Sequence, residues 1–189
     1  MNKPTRVTWN PTRFDAAAFA QAAGVLEGRT PLADLIRLAE DLHPADGALP
    51  PTEVSWTLRG EMRPPRSGSQ PDVWLQLVAS VTVPLTCQRC LGPVPEPLEV
   101  DRWFRFVADE AAAEAQDDDC DEDLLALEPR PDMLAVLEDE LLMALPLVPM
   151  HEVCPEPVLL ADPNPLPEAQ EERPNPFAQL ARLKPGRPE

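Results

Sequence analysis

The sequence predicts an α+β fold, in which amino-terminal helices precede an antiparallel curved sheet or partial barrel. Hydrophobic residues recur at three- and four-residue intervals before residue 43, and at every second position between residues 53 and 106. Another helical pattern follows the strands, over Asp132–Leu145, and stops at Pro146. We therefore expect one domain over residues 1–172, with one main helix after the sheet. Residues 173–189 are expected to form a tail with a short carboxy-terminal helix.

Two helices are predicted at the amino end, over Asp15–Leu26 and Pro31–Leu42, separated by Gly24 and Gly28. Thr30 is expected to cap the second helix, because Pro31 suits the first helical position. The apolar side chains of this second helix fall on one stripe, which would pack on the core. The stripe consists of Leu32, Leu35, Ile36, Ala39 and Leu42.

Three strands are predicted after residue 53, because apolar and polar residues alternate there as in half-buried antiparallel strands. Their short connections favour a meander. Pro84 requires an edge position or a bulge near the end of the second strand. The alternating residues that share one face of the strands are Val54, Trp56, Leu58, Val73, Leu75, Leu77, Ala79, Val81, Val83, Leu85, Cys87, Leu98, Val100, Arg102, Phe104 and Phe106. Trp103 is expected on the opposite face.

The net charge of −17 is distributed unevenly along the chain. Residues 1–106 carry 11 basic and 12 acidic side chains, residues 107–172 carry 1 and 20, and residues 173–189 carry 4 and 1. The acidic total argues against general nucleic-acid binding, but the first half is balanced and contains local groups of arginines. Those arginines either contact RNA or solvate strand faces and pair with nearby acids. The candidate RNA contacts are Arg59, Arg63, Arg66, Arg89, Arg102 and Arg105.

An acidic, alanine-rich segment at about residues 108–130 is expected to form a mobile loop, because the carboxylates of its run Asp117–Asp123 repel one another. The segment is interpreted as a solubilising linker, or as a surface that imitates phosphate or attracts a basic protein. Its carboxylates do not have the spacing of a calcium loop, and no pair is positioned for acid–base catalysis.

Enzymatic function is poorly supported by the sequence. It contains no glycine-rich dinucleotide motif, Walker loop, Gly-x-Ser-x-Gly motif or His-Glu-x-x-His motif, and it has 2 histidines. We expect no catalytic residues and no small-molecule substrate. The amino end lacks an apolar signal region, and no stretch reaches the roughly 18 to 20 apolar residues of a membrane span, so a soluble, cytoplasmic protein is expected.

Four residues form a candidate metal site, namely Cys87, Cys90, His151 and Cys154. A Cys-x-x-Cys turn presents two thiolates to one ion, and His151 and Cys154 have a similar chelating span, so the ligands suit one tetrahedral structural zinc. The alternative is that the cysteines are small buried hydrophobic residues and that His151 is a hydrogen-bonded interface residue. A redox function is less favoured, because this Cys-x-x-Cys lies between strands and not at a helix amino terminus.

Four motifs occur in a fixed order along the chain: the turn Cys87–Cys90, the helix block Leu137–Pro146, the strip Val148–His151 with Cys154, and the tail segment Pro174–Leu180. Together they resemble the YceD family, the large ribosomal RNA subunit accumulation proteins. The resemblance covers about residues 85–184, whereas residues 1–84 agree only in their general pattern of helices and strands.

This resemblance implies a cytoplasmic bacterial protein that supports the synthesis, processing or stability of large-subunit ribosomal RNA, with no established catalytic activity. The implied partners are precursor large-subunit RNA or the assembling large subunit. An alternative function is that of a zinc-containing adaptor that binds a basic ribosomal protein through its acidic segment.

The tail contains a short candidate docking helix. Asn175 would cap it and Pro176 would occupy the first helical position. Phe177 and Leu180 would then lie on one apolar side. We expect this helix to dock either on its own domain or on an assembling particle.

Overall fold

The computed structural model describes residues 8–44, 50–65, 70–118 and 120–155. The described residues up to Cys154 belong to one compact unit. Their strands are β1 (Val25–Pro31), β2 (Glu53–Arg63), β3 (Asp72–Thr86), β4 (Pro93–Asp109) and β5 (Asp123–Glu128). Their α-helices are α1 (Ala16–Gln21), α2 (Ile36–Glu40), α3 (Glu110–Asp117) and α4 (Met133–Met143), and two 3-10 turns lie at Pro11–Arg13 and Leu32–Asp34.

The five strands form one sheet in the order β1-β2-β3-β4-β5. Strands β1 to β4 are an antiparallel meander, and β5 pairs with β4 in parallel. The α+β class and the meander of the three predicted strands are thus confirmed. Because β1 and β5 are the two edges, the sheet is open and is not closed into a barrel.

The predicted alternation separates two faces of the sheet. The side chains predicted to be buried on β2 and β3 are all buried, and they share one face with Leu98, Val100, Phe104 and Phe106 of β4. Helices α1 and α4 cover this face, where they contact β2, β3 and β4. We call it the helix-covered face and the other the open face. Trp103 lies on the open face, in register with Gln76, as predicted.

Pro84 occupies an edge position near the end of β3, as its chemistry requires. Strand β2 pairs with β3 only between Asp72 and Ser80, so Pro84 has a strand neighbour on one side only, where it faces Pro95 of β4. The missing N–H group of proline therefore breaks no ladder between two flanking strands. The carbonyl of Pro84 accepts a hydrogen bond from His43 N at 2.8 Å.

The predicted first helix is wrong beyond residue 21, because Val25–Pro31 forms the edge strand β1. The exposed backbone edge of β2 needs hydrogen-bond partners, and β1 provides them along the register Val25 to Arg59 through Pro31 to Glu53. Gly28 permits this pairing, since a Cβ atom there would overlap the ring of Trp56. Tertiary pairing thus overrides a local helical pattern.

The predicted second helix is interrupted, and Thr30 does not cap it. Thr30 lies in β1, where its hydroxyl accepts a hydrogen bond from Trp56 Nε1 at 2.9 Å. The segment forms a 3-10 turn and then the short helix α2, with Leu35 between them in a non-helical conformation. The predicted stripe is correspondingly broken: Leu32, Leu35 and Leu42 are buried, whereas Ile36 is 68% exposed.

The predicted loop at residues 108–130 is wrong in its secondary structure, because it contains α3 and β5. Asp109 caps α3 by accepting a hydrogen bond from Ala112 N at 2.8 Å. Strand β5 then pairs with the free edge of β4, where it buries Ala126 and partly buries Leu125 and Leu127. The apolar residues after the acidic run therefore find a neighbour that local sequence patterns do not reveal. The mobility of this segment stays a prediction.

The main helix after the sheet is confirmed as α4. Asp132 caps it, accepting hydrogen bonds from Leu134 N at 2.9 Å and Ala135 N at 3.3 Å. None of the helices among the described residues is long and apolar enough to cross a membrane. The predicted domain boundary at residue 172 lies outside the described residues, as does the predicted docking helix with Asn175, Pro176, Phe177 and Leu180.

Candidate metal centre

The first half of the candidate centre is the tight turn between β3 and β4. Cys87 N donates to Gly92 O at 2.9 Å, and Leu91 N donates to Cys87 O at 2.9 Å. Leu91 closes the turn with a positive φ of 61°, which is the left-handed region. The chain reversal places Cys87, which is fully buried, and Cys90, which is partly buried, on the same side of the turn.

The second half is the strip that follows α4. Pro146 prevents continuation of the helix, and the chain then passes along the Cys-x-x-Cys turn. Gln88 N donates a hydrogen bond to Pro149 O at 2.9 Å, and His151 N donates one to Cys87 Sγ at 3.4 Å. These two contacts hold the strip against the turn and bring His151 and Cys154 to the two other cysteines.

The four predicted ligands converge on one point. The ligand atoms of Cys87, Cys90, His151 and Cys154 all lie within 4.8 Å of one another. Cys87 Sγ is 4.0 Å from Cys154 Sγ, and Cys90 Sγ is 3.4 Å from His151 Nδ1. Zinc with bonds of about 2.3 Å to sulfur and about 2.0 Å to nitrogen would place two sulfur atoms about 3.8 Å apart and sulfur and nitrogen about 3.5 Å apart in a tetrahedron. The Cys87–Cys154 and Cys90–His151 separations fit that geometry.

Cys87 and Cys154 have shifted pKa values. Burial raises the pKa of Cys87, but N–H groups of the turn and of His151 stabilise its thiolate and bring the pKa down to about 5. Burial also raises the pKa of Cys154, and the neighbouring thiols Cys90 and Cys87 raise it further. Cys87 is thus a thiolate at neutral pH, and a divalent cation would stabilise it and offset the repulsion that a second thiolate at Cys154 would meet.

The candidate RNA-binding arginines are distributed over different parts of the fold. Arg59 is exposed on the open face and Arg89 is exposed on the cysteine turn, and neither has an ion pair among the described residues. Arg102 lies on the helix-covered face, 2.6 Å from Asp123 and 3.5 Å from Glu140. Arg66 lies outside the described residues.

Two of the arginines are engaged by neighbouring side chains, Arg63 at a partly exposed position and Arg105 at a buried one. Arg63 lies between two indole rings, with its guanidinium carbon 4.2 Å from the Trp74 centroid and 4.0 Å from the Trp103 centroid. Arg105 is buried at 6% exposure, and its Nη1 donates to Gln116 Oε1 of α3 at 3.2 Å. The structure therefore does not bring the described arginines together in one basic surface.

Glu138 is a structural residue that sequence reasoning missed, although it lies in the helix block of the family resemblance. Its Oε1 accepts hydrogen bonds from Arg37 N at 2.7 Å and Leu38 N at 3.2 Å, so α4 caps the amino terminus of α2. Its Oε2 also lies 2.9 Å from Arg37 Nη2. The unusual position of this carboxylate, within an otherwise apolar helix side, is the sequence signal that could have identified it.

The family model and the curated relative that match this chain carry the same name. The family model described as "Large ribosomal RNA subunit accumulation protein YceD" matches residues 75–184, more than half of this chain. A Haemophilus influenzae protein with that same name is 39% identical over 110 residues, which are 55% of this chain and 61% of the relative. The chain thus spans less than two thirds of the relative's length. No solved structure matches the chain significantly.

Proposed function

This chain belongs to the YceD family, the large ribosomal RNA subunit accumulation proteins, and from that membership we propose that it supports the synthesis, processing or stability of large-subunit ribosomal RNA without catalysing a reaction. Its proposed partners are precursor large-subunit RNA or the assembling large subunit, and its proposed location is the cytoplasm. The name of the Haemophilus influenzae relative supports the RNA component of this proposal.

The observation that carries the proposal is the convergence of Cys87, Cys90, His151 and Cys154 inside the region that the family model matches. We propose that these four residues hold one structural zinc. Bound zinc would supply a cross-link between the turn and the strip. Cys87 of the turn and His151 of the strip are 64 positions apart in the chain. Metal binding to such a set contributes directly to folding.

The role of this cross-link would be to fix a surface and not to perform chemistry. Three thiols and one imidazole fill the four positions of a tetrahedral ion, which is the closed arrangement typical of structural sites. A catalytic zinc keeps a position open for water or substrate. The strip between Pro146 and Cys154 has no helix or strand of its own, so its contacts with the turn determine its position.

Direct RNA contact is the part of the proposal that concerns the arginines. Arg59 and Arg89 are the candidates best placed for it, because both are exposed and their charges are not neutralised by a described neighbour. Phosphate binding depends on such cations. Arg63, Arg66, Arg102 and Arg105 remain secondary candidates.

A second candidate function is that of an adaptor that binds a basic ribosomal protein through the acidic segment. Helix α3 favours it, because Glu110, Glu114, Asp117 and Asp118 line one shared groove with Ala113 and Leu124. A helical arrangement gives these carboxylates fixed spacing, which suits a partner with several cations. Deletion of residues 109–123 should then abolish binding of that partner.

The experiment that tests the proposed function is replacement of the chromosomal gene by variants in its own host. Large-subunit ribosomal RNA and its precursors would be measured by sequencing and by gradient sedimentation. We expect Cys90→Ser to reduce mature large-subunit RNA relative to small-subunit RNA, whereas Cys120→Ser, outside the cluster, should leave the ratio unchanged. An unchanged ratio after complete deletion of the gene would contradict the proposal.

Crosslinking of the protein to RNA in growing cells separates the two candidates. Discrete crosslinks in precursor large-subunit RNA that are lost in the double variant Arg59→Ala, Arg89→Ala would support direct RNA binding. Sedimentation with large-subunit precursors without RNA crosslinks would support the adaptor function instead.

A further inference from the structure

A group of large apolar side chains is exposed around the candidate metal centre. Leu147 is 101% exposed, Val153 82% and Leu91 70%, and two further residues of the strip are exposed at 57% and 47%. Soluble proteins rarely leave such a concentration of apolar side chains in water without a binding partner. We call this group the knuckle surface, which consists of Leu91, Leu147, Val148, Met150 and Val153.

The backbone geometry of the centre explains why these side chains face outward. The strip is held to the turn by Pro149 O and His151 N, and its His151 and Cys154 side chains point toward the buried Cys87. Met150 and Val153 alternate with these inward contacts along the chain and are exposed. Leu91 follows Cys90 directly, and Cys90 contacts His151, so Leu91 belongs to the part of the turn that the strip contacts.

A small cavity of about 190 Å³ lies beside the knuckle surface. Its lining is apolar and polar in similar measure, and it includes the acidic residue Asp41. The volume is below the roughly 300 to 1,000 Å³ of small-molecule sites and suits a single side chain. A lysine or arginine fits this composition, because its aliphatic stem can pack on apolar walls while its charge reaches a carboxylate. The lining residues are Asp41, Leu85, Thr86, Gln88, Leu145, Pro146 and Pro149.

The charges around the surface favour a basic partner. Asp41, Glu40 and Glu152 are exposed and have no ion pair among the residues that the structure describes. Arg89 is the exposed cation of the turn, so the described exposed charges without an ion pair around this surface are three carboxylates and one guanidinium. An excess of carboxylates beside exposed apolar side chains attracts a cationic polypeptide.

We propose that the knuckle surface binds a basic polypeptide segment of a partner protein. Large apolar side chains of that segment would pack on Leu91, Leu147 and Val153, and one lysine or arginine would enter the cavity and reach Asp41. The identification of the partner as a component of the assembling large subunit rests on the proposed function. The chemistry of the segment rests only on exposure, cavity composition and charge.

The experiment is site-specific photocrosslinking of the full chain in its own host. The photoreactive residue p-benzoylphenylalanine replaces Leu147, whose complete exposure means that the substitution disturbs no packing. A matched control places the same residue at Val25, which is 57% exposed on the edge strand β1. Mass spectrometry of the adducts identifies the crosslinked peptide.

We expect the Leu147 position, and not the Val25 position, to yield peptides with lysine or arginine next to large apolar residues, from one or a few defined proteins. Asp41→Asn in the same chain should reduce the yield severalfold. Crosslinks only to RNA, to residues 155–189 of the same chain, to a second copy, or to nothing would each overturn the proposal.

A binding measurement tests the same surface outside the cell. The probe is the synthetic peptide corresponding to the crosslinked segment, labelled with a fluorophore, and the protein is the full chain. The double variant Leu147→Ser, Val153→Ser should weaken binding by about tenfold or more, because it removes two apolar contacts. Ile36→Ser, at another exposed apolar position, should leave binding unchanged, and equal affinity of all three proteins would overturn the proposal.

These outcomes are independent of the proposed function. A basic peptide crosslinked from a protein unrelated to the large subunit would support the docking surface and contradict only the identity of the partner. A defect in large-subunit RNA without any Leu147 adduct would support the proposed function and overturn the docking surface.

Discussion

Cys90 Sγ lies 3.4 Å from His151 Nδ1, although 61 positions separate the two residues in the chain. The contact joins the turn between β3 and β4 to the strip after α4. Its position depends on the hydrogen bonds from Gln88 N to Pro149 O and from His151 N to Cys87 Sγ, because these align the strip with the turn. Four predictions follow from this centre and from the packing around it.

Cysteine substitution should remove bound zinc and destabilise the protein. Cys90→Ser leaves three of the four ligands, and we expect the metal content to fall from about one zinc per chain to well below that value. The melting temperature of the purified protein should fall by several degrees. Metal content by elemental analysis and unfolding by circular dichroism are the measurements. Cys120→Ser is the control, and equal metal content in both variants would contradict a site at Cys90.

The metal-free protein should become more stable as the pH rises from about 5 toward 9. The pKa of Cys87 is about 5 in the folded protein, compared with an ordinary value of 9.0. Between these values the folded state holds the thiolate while the unfolded state holds the thiol, so the unfolded state binds more protons and stability increases with pH. This contribution is lost as the pH falls through 5.

Urea unfolding in the presence of a chelator measures this pH dependence. Cys87→Ser should flatten the slope between pH 5 and pH 9, whereas Cys120→Ser should retain it. A slope that is the same in the parent protein and in Cys87→Ser would show that another group is responsible.

Removal of the Glu138 carboxylate should destabilise the packing of α2 on α4. Glu138→Ala loses hydrogen bonds to Arg37 N and Leu38 N and the ion pair with the Arg37 guanidinium. We expect a loss of about 2 to 3 kcal/mol, since the carboxylate is buried and its donors would be left without a partner. Asp139→Ala is the matched control, because Asp139 contacts the same Arg37 but is exposed. It should cost at most about 1 kcal/mol. Chemical unfolding measures both, and equal losses would contradict the argument.

A methyl group at Gly28 should destabilise the sheet edge. A Cβ atom there would overlap the ring of Trp56, which is buried and hydrogen-bonded to Thr30. We expect Gly28→Ala to cost about 1 to 3 kcal/mol, as in other overpacked sites. Gly92→Ala is the control, because its Cβ would meet Cys90 Sγ at an ordinary 3.6 Å. If urea unfolding midpoints of the two variants were equal, β1 would not pack on Trp56 as described.

The acidic segment shows where local patterns mislead. Repulsion within the run Asp117–Asp123 predicts a loop over the whole segment, but α3 ends at Asp117 and β5 begins at Asp123. The free edge of β4 provides hydrogen-bond partners and an apolar surface to Leu125 and Ala126. A strand that is stabilised only by a distant neighbour has no periodicity of its own to detect. The same reason applies to β1, which was predicted as helix.

The sequence by itself determined the meander β2-β3-β4, the capped helix α4 and the four candidate ligands. The alternation of apolar and polar residues along Val54–Leu58 and Val73–Cys87 indicates which side chains are buried, because successive side chains of a strand point to opposite faces of the sheet. Asp132 and Pro146 set the limits of α4 by local hydrogen bonding and by steric restriction.

Only the tertiary structure decided how these parts meet. It adds β1 to the edge of β2 and β5 to the edge of β4. It places the Arg63 guanidinium against the rings of Trp74 and Trp103 and buries Arg105 beneath α3. It also brings His151 to Cys90 and leaves Leu147 in water. These relationships join residues that are far apart in the chain, and their free energy arises from contacts that exist only after the chain has folded.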